Sequence, residues 1–106
     1  MAQIKRILIL NRSEIACRLI QAAQELDCET VAIYSDVDKD APHTKLADQS
    51  VALGGVSPQE TYLNLEKLLK IAKDYKCDAV HPGYGFLSER APAAEAFLKA
   101  GIKWIG

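Results

Sequence analysis

The chain has 106 residues, 49% of them hydrophobic and 25% charged, with a formal net charge of −1. That length suits one domain with a single hydrophobic core, and that balance excludes a disordered, collagen-like or coiled-coil chain. The small net charge argues against a nucleic-acid binder or a membrane-surface protein, either of which carries a basic excess.

Residues 5–10 are an almost continuous apolar run, expected as a strand buried on both faces. The four apolar residues from Ile7 to Leu10 are too few for a signal-peptide core or a membrane span. Asn11 and Glu14 have capping-box spacing, with Ser13 a rival cap, so a helix is expected to open here. Ile15, Leu19, Ala22, Ala23 and Leu26 then repeat at helical spacing, while Arg18, Gln21 and Glu25 share a different face. Residues 30–34 read as a second strand. Residues 35–48 are polar, with Pro42 placed to open a short helical turn, and residues 50–53 read as a third strand. After the Gly54-Gly55 and Pro58 loop, a long helix is expected over 61–75, with Leu65, Leu68, Leu69 and Ala72 on one side. A strand at 79–81, a helix at 91–100 stopped by Gly101 and a strand at 103–105 complete the order. Alternation of this kind predicts an α/β domain, Rossmann-like and three-layered, with a mainly parallel sheet of about five strands.

Three cysteines, Cys17, Cys28 and Cys77, form no C-x-x-C pair, so neither a zinc nor a redox motif is present. Reduced thiols and a cytoplasmic location are expected. Asp36, Asp38 and Asp40 begin like a calcium loop, but Ala41 and Ala47 stand where that loop needs Gly and Glu. A solvated turn is expected instead, and no metal site. Gly83, Gly85 and Ser88 imitate a dinucleotide fingerprint, but the third glycine and the ribose-binding acid are missing. No Gly-Lys-Ser/Thr occurs, so a phosphate P-loop is excluded as well. His43 and His81 lack a nucleophile at a suggestive spacing and read as hydrogen-bonded structural groups. Tyr84 sits between two glycines at the carboxyl end of a strand, where open α/β sheets bind ligands. Its ring either faces such a ligand or packs down the loop.

Several stretches together resemble biotin carboxylase. They are Ile7-Leu8-Ile9-Leu10-Asn11-Arg12-Ser13-Glu14-Ile15-Ala16, Thr30-Val31-Ala32-Ile33-Tyr34-Ser35-Asp36, and the loop 38–48 with Ala41, His43, Ala47 and Asp48 in register. The most specific block is His81-Pro82-Gly83-Tyr84-Gly85-Phe86-Leu87-Ser88-Glu89. The resemblance runs the length of the chain and implies the N-terminal, pre-ATP-grasp domain of that family. The family uses ATP, Mg2+ and bicarbonate to carboxylate biotin on a carrier protein or domain, within acetyl-CoA, propionyl-CoA and pyruvate carboxylases.

By that resemblance Tyr84, Gly85 and Glu89 lie on a loop facing biotin and bicarbonate, and Arg18, Gln21 and Glu25 lie on a homodimer face. Gln21 replaces an arginine, and Asp27 a glycine, found in other members. The ATP-grasp lysines, metal-binding glutamates and catalytic arginines lie downstream in the family. No catalytic residue is therefore expected in this chain, nor tight binding of ATP, Mg2+ or biotin by it alone. The implied partners are the remaining carboxylase domains, the biotin carrier and a carboxyltransferase. The chain stops directly after a predicted strand, so its length is expected to be that of a cut from a longer enzyme. An apolar patch is expected to be left bare and to drive oligomers. Two other readings remain: a stand-alone interaction or regulatory module, and a self-sufficient nucleotide-binding enzyme.

Overall fold

The apolar runs pair into one sheet in the computed structural model, which describes residues 4–83 and 91–105. Strands β1 (Arg6–Ile9), β2 (Glu29–Tyr34), β3 (Gln49–Ala52), β4 (Ala79–His81) and β5 (Lys103–Trp104) lie in the order β3-β2-β1-β4-β5. Every pairing is parallel, so the sheet is wholly rather than mainly so. β1 is central, with Leu8 opposite Val31 on one side and Val80 on the other. Its Ile7, Leu8 and Ile9 are all buried, as a strand covered on both faces requires.

Helices α1 (Ser13–Glu25), α2 (Pro42–Leu46), α3 (Leu65–Asp74) and α4 (Ala91–Lys99) cover the sheet, and a 3₁₀ turn at Asp36–Asp38 follows β2. Alternate residues of each strand feed two cores. Ile7, Ile9, Ala32 and Ala79 pack on Ala16, Ile20 and Ala23 of α1. Leu8, Leu10, Val31, Ile33 and Val80 pack on Leu68, Ile71 and Ala72 of α3 and Phe97 of α4. This is the three-layer arrangement that right-handed crossovers produce.

Four local expectations are corrected. The capping box does not form: α1 is capped by Arg12 without a side-chain bond, because the Asn11 side chain is spent elsewhere. α1 buries Ala16, Ile20 and Ala23, while Ala22 and Leu26 of the expected apolar face are exposed. Leu26 is the C-cap, where the helical period has ended. α3 begins at Leu65 rather than near Thr61, because Asn64 caps it by accepting from the Lys67 N–H at 3.2 Å. The turn after β2 is not solvated throughout, since Asp38 is 6% exposed. Cys17, Cys28 and Cys77 are all free thiols. Among the described residues no helix is long and apolar enough to cross a membrane.

Candidate functional site at the carboxyl edge of the sheet

The chain leaves β1 toward β2 on one side and returns, after β3, to β4 on the other. The carboxyl ends of β1 and β4 therefore flank the topological switch point, where open α/β sheets place their ligands. The two ends are tied together there. Leu10 N–H donates to His81 O at 2.9 Å, and Asn11 Nδ2 donates to Pro82 O at 2.8 Å. Asn11 is 1% exposed and its Oδ1 accepts from Arg12 N–H at 2.9 Å, so the buried amide has partners on both sides.

Gly83 takes φ +68°, and a Cβ there would stand 2.9 Å from Ile15 Cγ2 and 3.1 Å from Asn11 Nδ2. Only glycine lets the strand end pass this close to α1. His81 Nδ1 accepts from Gly83 N–H at 3.2 Å, and burial pushes its pKa below the ordinary value. Both effects favour the neutral ring with its proton on Nε2. Tyr84, Gly85 and Glu89 lie outside the described residues.

Beside the switch point a cleft of about 250 Å³ opens, lined by Arg12, Ser35, Val37, Asp38, Val56, Pro58 and Tyr62. The Arg12 guanidinium grips Asp38 through Nε to Oδ2 and Nη2 to Oδ1, each at 2.6 Å. Tyr62 OH donates to Asp38 Oδ2 at 2.7 Å, Ser35 Oγ donates to the same oxygen at 3.2 Å, and Ser35 N–H donates to Tyr62 OH at 3.1 Å. Arg12, foremost, holds the Asp38 pKa down at about 2. Burial, and then the bond to Asp38, pushes the Tyr62 phenol up, so it stays a donor. With its lone pairs committed, Asp38 has little basicity left for proton abstraction. The cluster is a fixed polar wall.

His43 is fully buried and, as expected, structural: Nδ1 accepts from Ser13 N–H at 3.2 Å and Nε2 meets Ile33 O at 2.9 Å. It locks α2 to the β1–α1 turn, where Ser13 is held at φ +51°. Arg18, Gln21 and Glu25 are exposed together on the outer face of α1, and Arg18 pairs with Glu14 at 2.7 Å. Among the described residues no three His, Cys, Asp or Glu side chains stand close enough to hold a metal ion. The β1–α1 turn, Asn11-Arg12-Ser13-Glu14, also lacks the glycines of a phosphate cradle. Sequence reasoning missed the roles of Asn11, Arg12 and Asp38, although all three lie in the blocks that carry the family resemblance.

A parallel sheet in this order, with its two central strand ends tied at the carboxyl-edge crevice by the Asn11 side chain, defines a Rossmann-like α/β domain. Comparison with known proteins narrows that class. The profile of the family described as "Biotin carboxylase, N-terminal domain" matches residues 3–106, and the chain belongs to that family.

It is 50% identical over 107 residues to pyruvate carboxylase of Staphylococcus aureus, a match covering 100% of this chain and 9% of that protein. It is 48% identical over 101 residues to biotin carboxylase 2 of Bacillus subtilis, covering 95% of this chain and 23% of that protein. The pyruvate carboxylase structure from Rhizobium etli superposes with a TM-score of 0.94 at 44% identity, over 99% of this chain and 11% of that one. The biotin carboxylase domain dimer of Hydrogenobacter thermophilus 2-oxoglutarate carboxylase, in complex with MgADP, ADP and bicarbonate, superposes with a TM-score of 0.94 at 43% identity. That match covers 100% of this chain and 23% of that one. The chain spans 9% to 23% of the length of these relatives.

Proposed function

We propose that residues 1–106 are one domain of a biotin-dependent carboxylase, in which MgATP and bicarbonate are used to carboxylate biotin on a carrier protein or domain. The observation that carries this reading is the end-to-end match, at about half identity, to carboxylases that continue well beyond it. In this reading the chain supplies one wall of the biotin and bicarbonate site. Its loop residues Tyr84, Gly85 and Glu89 follow directly on the strand end that Asn11 and Gly83 fix against α1.

MgATP is held by other parts of the enzyme, and the chain alone is inactive. The outer face of α1, with Arg18, Gln21 and Glu25, contributes to a homodimer, which the dimeric biotin carboxylase domain of the 2-oxoglutarate carboxylase supports. The carboxyltransferase and the carrier are the further partners, and the cytoplasm is the setting that keeps the three free thiols reduced.

The test measures biotin- and bicarbonate-dependent ATP cleavage by the 106-residue chain and by the full-length carboxylase. The chain alone is expected to show none, and turnover by it would overturn the reading. In the full-length enzyme Tyr84→Ala is expected to lower kcat/KM for biotin by about tenfold or more, the scale of one lost contact of roughly 1.4 kcal/mol. The KM for ATP is expected to stay unchanged. An unaltered kcat/KM for biotin would remove Tyr84 from the site.

A further inference from the structure

The segment 53–62, which walls the cleft with Val56, Pro58 and Tyr62, is tied to the 34–38 stretch through Leu53, Gly55 and Tyr62 and to α3 through an ammonium. Lys67, in the first turn of α3, reaches back and donates from Nζ to Leu53 O at 2.6 Å, Gly54 O at 2.9 Å and Glu60 O at 2.8 Å. An ammonium has three donors, and three carbonyls receive them. None of these partners is a carboxylate. The Glu60 carboxylate is engaged instead with Ser57 N–H at 3.1 Å, Ser57 Oγ at 2.9 Å and Val56 N–H at 3.4 Å. Gly54 and Gly55, at φ +71° and +122°, supply the backbone reversal at this point.

A ring of neutral carbonyl oxygens is the donor set that replaces the hydration shell of a monovalent cation. Divalent ions favour carboxylates, and Mg2+ in particular binds oxygen at roughly 2.0–2.1 Å, shorter than every distance here.

We propose that the carbonyls of Leu53, Gly54 and Glu60 form a monovalent-cation site that Lys67 fills as a tethered ammonium. A cation in that site holds the 53–62 wall of the cleft in place. The proposal does not depend on the carboxylase reading, because it concerns only how this wall is held.

Lys67→Ala removes Cγ, Cδ, Cε and Nζ, the atoms of an n-propylammonium ion, so that ion is the probe. Backbone hydrogen exchange at Val56 and Ser57 and the thermal midpoint of the 106-residue chain are the readouts. Lys67→Ala is expected to lower protection of those two amides by about tenfold and Tm by about 4–8 °C, leaving Leu8 and Val31 protected. Propylammonium chloride is expected to restore both in a saturable way, and tetramethylammonium chloride at equal ionic strength to restore neither. Lys67→Met, whose apolar stem takes the place of the lysine stem, is expected to lose the same protection and to gain nothing from propylammonium. Equal response of Lys67→Ala to the two salts would overturn the proposal. So would intact protection of Val56 and Ser57 in either variant without added cation, which also keeps the test decisive should one variant fail to fold.

Discussion

The Arg12 guanidinium holds the Asp38 carboxylate by two parallel bonds of 2.6 Å, between residues 26 apart in sequence. The geometry is the bidentate fork that makes Arg–carboxylate pairs strong. Asp38 has a folded pKa of about 2, held there chiefly by Arg12, against about 3.9 in an unfolded chain. A depressed carboxyl pKa stabilises the fold fully above the unfolded value and ceases to do so as pH falls toward the folded one. The contribution is about 2.6 kcal/mol at most, and less in practice because the Arg12 side chain is 43% exposed and solvent screens it. Asp38→Asn is therefore expected to lower stability by about 1–2 kcal/mol at pH 7 and to flatten its fall between pH 4 and 2. Urea midpoints across that range test this, and a variant with the same acid limb as the parent would refute it.

Gly83 is expected to tolerate no side chain. Gly83→Ala places a methyl 2.9 Å from Ile15 Cγ2 and 3.1 Å from Leu19 Cδ1, at φ +68°. Backbone strain and overpacking together are expected to lower stability by about 2–4 kcal/mol. Gly101→Ala shares the strain, at φ +81°, but meets nothing within 4 Å, so a loss of about 1 kcal/mol is expected. Equal losses in chemical denaturation would show that the close approach to α1 contributes nothing.

These cases show where the sequence was legible. The strands and helices appeared in the right order because hydrophobic period and Gly/Pro punctuation are local signals. The Arg12–Asp38 pair has no local signal. Three aspartates spaced by two residues look like a solvated turn, and the partner that permits burial of the middle one lies 26 residues away. Asn11 misled for a related reason: its spacing to Glu14 suits a cap, but its amide crosses to Pro82 O, 71 residues on. The early start assigned to α3 reflects Thr61 and Tyr62, which are buried and fit an apolar period although they lie in the turns before the Asn64 cap. The family resemblance reached further than period or spacing, since it named the family whose profile matches residues 3–106.

The three thiols are expected to react in order of access. Cys77 is buried and its pKa is pushed up to about 11, chiefly by desolvation, so almost no thiolate is present at pH 8. Cys17 is partly exposed, but burial, with Glu14 adding to it, still raises its pKa. Cys28 is partly exposed at the end of α1, with its Sγ 3.5 Å from Ile4 O. Iodoacetamide at pH 8, read by peptide mass, is expected to label Cys28 first, Cys17 more slowly and Cys77 only with urea present. Labelling of Cys77 in native buffer as fast as the others would show that the α3 layer opens far more readily than its packing implies.

Helices α1, α3 and α4 end in the same way, and two of the three ends are built from an unsuitable residue. The N–H of Cys28, Cys77 and Ile102 returns to the carbonyl of Ala23, Ala72 and Phe97 at 3.0, 2.9 and 2.9 Å. The preceding N–H groups of Asp27, Lys76 and Gly101 bond Gln24, Lys73 and Leu98. This is the Schellman pattern, whose central residue takes a left-handed conformation. Gly101 does so without a Cβ, whereas Asp27 and Lys76 are held at φ +61° and +54°. Both are exposed, so replacement by glycine relieves strain without opening a cavity. Glycine also enlarges the unfolded ensemble, which leaves a net gain of about 0.5–1 kcal/mol. The two sites are not equivalent. An aspartate opposes the negative end of a helix dipole and a lysine complements it, so Asp27→Gly is expected to gain more than Lys76→Gly. Thermal melts of the two single variants at low salt read that order directly, and added salt is expected to narrow the difference. A larger gain for Lys76→Gly would show that strain at Asp27 is already relieved by its own side chain, as short polar residues can do in this region.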